Sequence, residues 1–322
     1  MRIAVALATY NGGKYLELFL NSLSYQILPP DELIVSDDAS TDNTLAVINA
    51  FAMSAPFPVT IFSNKKNVGY SQNFSNALSH CFADLVFCAD QDDYWLPDKI
   101  NFIKQKFVEH PNIVLTIHDI EFCNSHLTPI GQSKLERMNG VFDLNSEYVV
   151  GMATAIRGEF LKICMPIPNS LDTAYDNWLH SCSVAVEKKM IVPEILALHR
   201  RHASNATTNN ILNVDYITNK SSYINIKFLM KRKQISTASI RLTLDWLILK
   251  RNALIDGNYI DELSFNRTIQ KKNEIILSLE ERRRILTLPV FSRTWFALKL
   301  YFRGGYSKFS GIKSVIRDIL SR

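Results

Sequence analysis

The chain has 322 residues, 47% hydrophobic and 21% charged, a balance that supports a folded core and excludes a disordered or fibrous polypeptide. A net charge of +5 conceals an uneven division: residues 1–214 carry 15 Lys+Arg against 22 Asp+Glu, a formal −7, whereas residues 215–322 carry 21 against 9, a formal +12. The acidic front half argues against a nucleic-acid partner, and the basic back half suits an anionic surface such as phospholipid headgroups.

Cys81, Cys88, Cys123, Cys164 and Cys182 show no CxxC spacing and mostly sit in apolar runs, so they read as reduced core residues of a cytosolic protein. The N-terminus opens directly on a strand pattern, and no window of about 18 uninterrupted apolar residues occurs. Neither export nor a membrane-spanning helix is expected.

Residues 3–8 form an apolar run, Thr9-Tyr10-Asn11-Gly12-Gly13 turns, and Lys14 to Leu23 has helical apolar spacing. Such a junction offers backbone amides and a helix N-terminus to an anion or a base, although a plain tight turn uses the same residues. After Pro29-Pro30 a second strand, Glu32 to Ser36, ends in Asp37-Asp38, with a helix from Thr44 to Ala52. Ser40 or Asp42 can cap that helix, which leaves Asp37 and Asp38 without a capping duty. A carboxylate there can accept hydrogen bonds from a nucleobase N–H or a ribose hydroxyl. A third strand, Val59 to Ser63, leads through Asn67-Val68-Gly69 into a helix from about Gln72 to His80.

The sharpest local signal follows. The apolar run Leu85 to Ala89 stops at Asp90-Gln91-Asp92-Asp93, three carboxylates in four positions. Charges so crowded repel one another, and the simplest use of them is to hold a hard divalent cation through oxygen. The competing reading is an acidic turn before a helix that starts near Pro97 and Asp98. Position favours the cation, because ligands of open α/β sheets gather beyond the carboxyl ends of strands. A helix from Lys99 to Glu109 and a strand from Ile113 to Phe122 continue the alternation, which predicts a mostly parallel sheet with helices on both faces.

Beyond Cys123 the pattern loosens. Residues 124–146 read as a loop or flap over a site. Apolar order returns at Tyr148 to Ile156, with a short helix at Glu159 to Cys164. Asp176-Asn177-Trp178 leads into an apolar helix through Val186, and a strand from Ile195 runs into His199-Arg200-Arg201-His202 and a polar loop over 203–210. From residue 215 helical spacing mixes with the basic clusters Lys231-Arg232-Lys233 and Arg282-Arg283-Arg284. Near the end Phe291, Trp295, Phe296, Tyr301 and Phe302 interleave with Arg293, Lys299 and Arg303. That pattern suits a helix lying in a headgroup layer, and equally a helical subdomain. Two domains are expected, 1–214 and 215–322.

Ala8 to Gly12, Ser36 to Asp42, Asn67 to Gly69, Asp90 to Trp95, Tyr175 to Trp178 and His199 to His202, in that order, resemble the family 2 glycosyltransferases, especially bacterial rhamnosyltransferase-like members that build surface polysaccharides. The resemblance implies a GT-A fold, a UDP- or dTDP-sugar donor, Mg2+ or Mn2+, inversion at the anomeric carbon and a lipid-linked acceptor reached from the inner face of the membrane. Carried onto this sequence, it implies nucleobase and ribose contacts at Thr9, Asp37 and Asp38. Further donor contacts fall at Tyr10, Asn11, Asn67, Gly69, Asp90, Gln91, Arg200 and His202. Asp90, Asp92 and His202 correspond to metal ligands, Asp176 to the catalytic base and Trp178 to an acceptor-stacking ring. Ala39 stands where the family often has Gly, and His199-Arg200-Arg201-His202 where Tyr-Arg-Gln-His is common. Two other functions use similar parts. A nucleotidyltransferase would show a glycine-rich basic loop near the N-terminus, where this chain has only Lys14. A donor-binding scaffold would not need Asp176.

Overall fold

Each apolar run that stops at a polar turn becomes a strand whose carboxyl end lies at one edge of a single sheet. A computed structural model describes residues 1–141, 143–170, 173–202, 236–307, 309 and 311–320. Eight strands, β1 (Ile3–Thr9), β2 (Glu32–Asp37), β3 (Val59–Ser63), β4 (Leu85–Asp90), β5 (Tyr94–Trp95), β6 (Leu115–Cys123), β7 (Thr154–Arg157) and β8 (Lys189–Arg200), take the order β3-β2-β1-β4-β7-β6-β8-β5. β3, β2, β1 and β4 run parallel, β6 and β8 are parallel, and β7 lies antiparallel between β4 and β6. Ile3 to Leu7 of the central β1 are buried throughout, which is why the strand reads as an unbroken apolar run and not as an alternation.

Register does the rest. Thr9 pairs with Asp37, and Ala8 with Asp90, so acids 53 positions apart in sequence finish at the same end of the sheet on the two strands that flank β1. Helices α1 (Gly13–Ser24), α2 (Thr44–Ala52), α3 (Tyr70–Ser79) and α4 (Lys99–Glu109) follow β1, β2, β3 and β5. α1 buries Leu16, Phe19, Leu20 and Leu23, one stripe of a 3.6-residue period. Trp95 closes that layer with its ring edge-on to Phe19 at 5.7 Å.

Residues 124–146, expected as a loop, contain two one-turn helices, α5 (Lys134–Arg137) and α6 (Leu144–Glu147). Four residues carry no periodicity; the readable signal was Ser133-x-x-Glu136, which forms a capping box. The segment is tied down by Asp119 of β6, whose Oδ1 accepts from Leu135 N (2.9 Å) and the Tyr148 hydroxyl (3.1 Å). A 3-10 turn at Gly151–Ala153 precedes β7, and α7 (Gly158–Cys164) and α8 (Tyr175–Ala185) lead into β8.

The described residues divide into two units, one of residues 1–202 with 250–260, the other of 236–249 with 261–320. The expected boundary at 214, the loop at 203–210 and the cluster Lys231-Arg232-Lys233 lie outside the described residues. Helix α10 (Arg251–Asp256) and the turn after it belong to the first unit: Lys188 donates to Asn258 O at 2.8 Å, and Tyr259 meets Phe160 at 5.3 Å. The second unit is helical, with α9 (Ala238–Leu249), α11 (Glu262–Leu286), α12 (Val290–Phe302) and α13 (Ile312–Leu320). Its core of Ile285, Ala297, Leu300, Tyr306 and Val315 surrounds a forked Arg282–Asp318 pair at 2.7 and 3.0 Å, which also takes the Tyr306 hydroxyl. Among the described residues no helix is long and apolar enough to cross a membrane.

Gly158 starts α7 so close to the β4 side that a Cβ would sit 1.9 Å from Ala83 O, a main-chain atom that cannot swing aside. Gly158→Ala is expected to cost the first unit about 2–4 kcal/mol, read as a lower urea midpoint; an unchanged midpoint would contradict the close packing.

Candidate active site

The cleft lies where β1, β2 and β4 end. Thr9 Oγ1 donates to Asp37 Oδ1 at 2.8 Å, and the Ser40 amide and hydroxyl complete that carboxylate's shell. Asp38 accepts from Asn64 Nδ2 (2.9 Å), Val68 N (2.8 Å) and Gly69 N (3.0 Å), so it folds the loop that launches α3. Gly69 turns there at φ 87°, a conformation glycine adopts without strain, and Asn67 Oδ1 also accepts its amide. Both acids are buried, and both are occupied by the protein's own donors.

Tyr10 and Gln91 join the ends of β1 and β4 reciprocally: Tyr10 N donates to Gln91 Oε1 and Gln91 Nε2 to Tyr10 O, each at 2.9 Å. Gly12 is required beside them, since a Cβ would fall 2.0 Å from Gln91 Oε1. Asn11, at φ 46°, donates its amide to Ser40 Oγ and accepts from Thr41 N through Oδ1. Thr9, Tyr10, Asn11, Asp37, Asp38, Asn67, Gly69 and Gln91 are thus one connected wall.

The opposite wall is a clasp between the acidic loop and the end of β8. Asp93 is 0% exposed, and its Oδ1 accepts from His199 Nδ1 (2.9 Å) and Arg200 N (3.0 Å). Arg200 donates through Nε to Asp92 O (2.7 Å) and through Nη1 to Ser125 O (2.5 Å), with its guanidinium 4.5 Å from the Tyr15 ring centre. His202 Nε2 lies 2.8 Å from Asp92 Oδ2, and its ring 4.6 Å from Tyr15. β5 supports the clasp by pairing Tyr94 and Trp95 with Leu198 and Ala197.

The charges are strongly perturbed. Burial, then the neighbouring Asp93 and Asp92, push the Asp90 carboxyl well above the usual carboxylate range. Burial also raises Asp93 against the pull of His199. For His199 the order reverses in outcome: burial opposes protonation, but the charge and hydrogen bond of Asp93 outweigh it, and its pKa rises. Beneath the cluster Lys99 is fully buried, donates to Met152 O at 2.7 Å and lies 3.5 Å from the Trp95 ring centre. Burial drives its pKa well down, and the charges of Asp93 and Asp90 act against that fall.

Asp176 is the second residue of α8. Ala174, not Asp176, occupies the capping position, so the carboxylate has no capping role. Its Oδ1 accepts from Asn177 N at 2.8 Å. Burial raises its pKa, opposed by that amide and by the Lys134 ammonium. The charge of Asp176 adds to the rise of Asp90, after burial and the charges of Asp93 and Asp92.

Trp178 corrects an expectation. Its indole is 3% exposed, and its N–H donates to Cys164 O at 2.8 Å, so the ring packs within the core and offers no open face to an acceptor sugar. At i+2 from Asp176 a helix turns the side chain to another face. Among the described residues no group of three His, Cys, Asp or Glu is assembled as a cation site; what stands ready is the Asp92–His202 pair. The sequence grouped Asp93 with the acids that would hold a cation, whereas its Oδ1 is taken by His199 Nδ1 and Arg200 N. Sequence reasoning passed over His199, Lys99 and Lys134 as working parts, since nothing local marked them.

The profile of Glycosyl transferase family 2 matches residues 4–161, from β1 through the start of α7. Residues 4–161 form a domain of glycosyltransferase family 2. The chain is 28% identical over 216 residues to an uncharacterized glycosyltransferase of Nostoc sp., covering 64% of this chain and 66% of that protein. It is 37% identical over 98 residues to the dTDP-rhamnosyl transferase RfbG of Shigella flexneri, 29% of this chain and 34% of that one. With the abequosyltransferase RfbV of Salmonella typhimurium it shares 30% over 117 residues, 36% of this chain and 35% of the other. The matched stretches therefore span less than two thirds of these relatives' lengths. Among solved structures, residues 1–349 of TarS from S. aureus, in complex with UDP, align over 99% of this chain and 90% of theirs at TM-score 0.57 and 14% identity. A mannosyltransferase of Pyrobaculum calidifontis, in complex with GDP-Man and Mn2+, aligns over 99% and 85% at TM-score 0.51 and 15% identity. At such identities the shared property is the GT-A fold.

Asp93→Asn removes the charge of the clasp and keeps its shape. It is expected to lower the stability of the first unit by about 1–3 kcal/mol, measured by urea unfolding. In a double-mutant cycle with His199→Gln the two losses should fall clearly short of additive; additive losses would show that the pair does not act as one.

Proposed function

We propose that this glycosyltransferase is an inverting, metal-assisted enzyme. It moves a sugar from a nucleoside-diphosphate donor, UDP- or dTDP-linked, to a hydroxyl of a lipid-linked glycan acceptor in bacterial surface polysaccharide synthesis. One observation carries the reading: the acids Asp90, Asp92 and Asp93 close the end of β4 beside Thr9 and Asp37, and α3, launched from the same strand ends by Asp38, stacks Phe74 on Tyr175, the chain neighbour of Asp176. Structures of TarS with UDP-GlcNAc and of the mannosyltransferase with GDP-Man support a nucleotide sugar as donor, and the relatives RfbG and RfbV support a polysaccharide setting.

The donor set fits a divalent ion. Asp92 Oδ2 and His202 Nε2 are 2.8 Å apart, close to the spacing of about 3 Å between adjacent ligands of an octahedral ion with bonds near 2.1 Å. Magnesium and manganese sites of this kind draw few ligands from protein and the rest from phosphate and water, which matches a pair in place of a three-residue cluster. Asp90, behind it, would add charge to the ion or bond its waters. When bound, the ion supplies charge neutralisation for the departing diphosphate. Arg200, held by Asp92 O and Ser125 O, keeps a fixed cation behind the same loop, and His202 can exchange Asp92 for a phosphate oxygen.

Transfer with inversion needs one base on the face opposite the leaving group. Asp176 suits that task because burial raises its basicity, a rise that the Asn177 amide and the Lys134 ammonium oppose. The acceptor hydroxyl gives its proton to Asp176, its oxygen bonds to the anomeric carbon, and the bond from that carbon to the diphosphate oxygen breaks in the same displacement. The wall built by Thr9, Tyr10, Asn11, Asp38 and Gly69 would receive the nucleoside, its exposed edge being the Tyr10 ring.

In the second unit α12 exposes Phe291 (92%), Trp295 (57%) and Phe302 (83%) along a helix that also carries Arg293, Lys299 and Arg303. Aromatic rings beside cations suit the headgroup layer of an anionic bilayer, where a lipid-linked acceptor would lie. This supports a cytoplasmic enzyme held peripherally on the inner face of the membrane.

Released nucleoside diphosphate in the presence of a lipid-linked acceptor marks transfer; pyrophosphate would mark a nucleotidyltransferase, and no product a donor-binding scaffold. Asp92→Ala is expected to abolish metal-dependent donor binding in calorimetry. Asp176→Asn should bind donor normally and lose about 10²- to 10⁴-fold in kcat. In the wild type kcat should fall as pH drops through the raised pKa of Asp176, since only the ionised form accepts a proton; a rate independent of pH there would remove Asp176 from the base role. Deleting residues 289–322 should end sedimentation with phosphatidylglycerol vesicles, and unchanged sedimentation would exclude that segment as the contact.

A further inference from the structure

Between the metal-side acid and the base lies a residue with no duty so far. Tyr70 is the first residue of α3, set in place by the Asp38 bonds to Val68 N and Gly69 N. One turn further along, Phe74 stacks face to face on Tyr175 with ring centres 3.8 Å apart and planes at 14°. Residues four apart share a helix face, and side chains lean toward the helix N-terminus. Tyr70 therefore occupies the same face as Phe74, about 6 Å nearer the strand ends, beside the N-terminus of α8 where Asp176 follows Tyr175.

Its ring is not consumed by packing. Tyr70 is 50% exposed, and among the described residues its hydroxyl has no hydrogen-bond partner. Partial burial and the negative charges of Asp176 and Asp90 raise its pKa, which favours the neutral phenol that can donate. A group between the cation side and the base side of a displacement stands beside the carbon being transferred. An aromatic ring with a free hydroxyl suits a pyranose, whose C–H face packs on the ring and whose hydroxyls exchange hydrogen bonds with the phenol.

We propose that Tyr70 walls the subsite of the transferred sugar, its hydroxyl bonding a ring hydroxyl of the donor pyranose, so that position 70 helps select which nucleotide sugar is used. This rests on the cleft being a nucleotide-sugar site. It adds a contact to the sugar that the nucleotide and diphosphate contacts do not supply.

The test separates the two. The full chain with Mn2+ is titrated calorimetrically with UDP-N-acetylglucosamine, dTDP-rhamnose and GDP-mannose, and with UDP, dTDP and GDP. For the nucleotide sugar that the wild type binds most tightly, Tyr70→Phe is expected to weaken binding about 3- to 10-fold, the loss of one hydrogen bond, with the matching diphosphate changed by less than about 2-fold. Tyr70→Leu, which also removes the ring, should lose at least as much on the sugar and still spare the diphosphate. Equal losses on sugar and diphosphate, or no loss on either, would overturn the role of Tyr70 while the donor site stands. A wild type that binds none of the six compounds would overturn the donor-site reading, and this inference with it.

Discussion

The site depends on a carboxylate that never meets solvent. Asp93 gathers the imidazole of His199 and the amide of Arg200 onto one oxygen, and so fastens the last residues of β8 to the loop after β4. An isolated charge at that depth would cost several kcal/mol. It is tolerated because His199, bonded to that oxygen, is pulled toward protonation, and the Arg200 amide donates to the same atom. The same clasp holds the rest of the loop: Arg200 donates to Asp92 O, His202 meets Asp92 Oδ2, and the Tyr15 ring packs against both Arg200 and His202.

Two walls result, of different character. The wall from Thr9 to Gly69 is knitted by hydrogen bonds among main-chain, amide and carboxylate groups. The clasp side holds three acids, two histidines and a buried lysine in one neighbourhood.

Much of this was legible beforehand because the parallel sheet translates local signals directly into position. Leu85 to Ala89 followed by acids could only be a strand end, and the same holds for Glu32 to Ser36 before Asp37. β1, β2 and β4 share an edge by the ordinary rules of right-handed βαβ crossing, so Thr9, Asp38 and Asp90 came together as expected. Where the chain leaves that repetition, sequence says less. Trp178 looked like a sugar-stacking ring because it neighbours Asp176, yet helical geometry sends residues i and i+2 to different faces, and the indole goes inward. His199 could not be paired with Asp93 from sequence, since the two are 106 positions apart and the partnership is fixed by β8 lying beside β5, a two-residue strand with no pattern of its own. Capping boxes such as Ser133–Glu136 were readable, but helices of one turn lack the apolar period that would have prompted the search.

Residues 250–260 return to the catalytic unit after the chain has already entered the helical one. Connectivity is thus threaded rather than serial: the polypeptide passes out, comes back for a single short helix that seats Asn258 on Lys188 and Tyr259 on Phe160, and departs again. No single cut can liberate the first unit intact. A fragment ending near residue 214 would bare the flank of α7, and recombination between relatives at that point would exchange one body while orphaning a piece of the other.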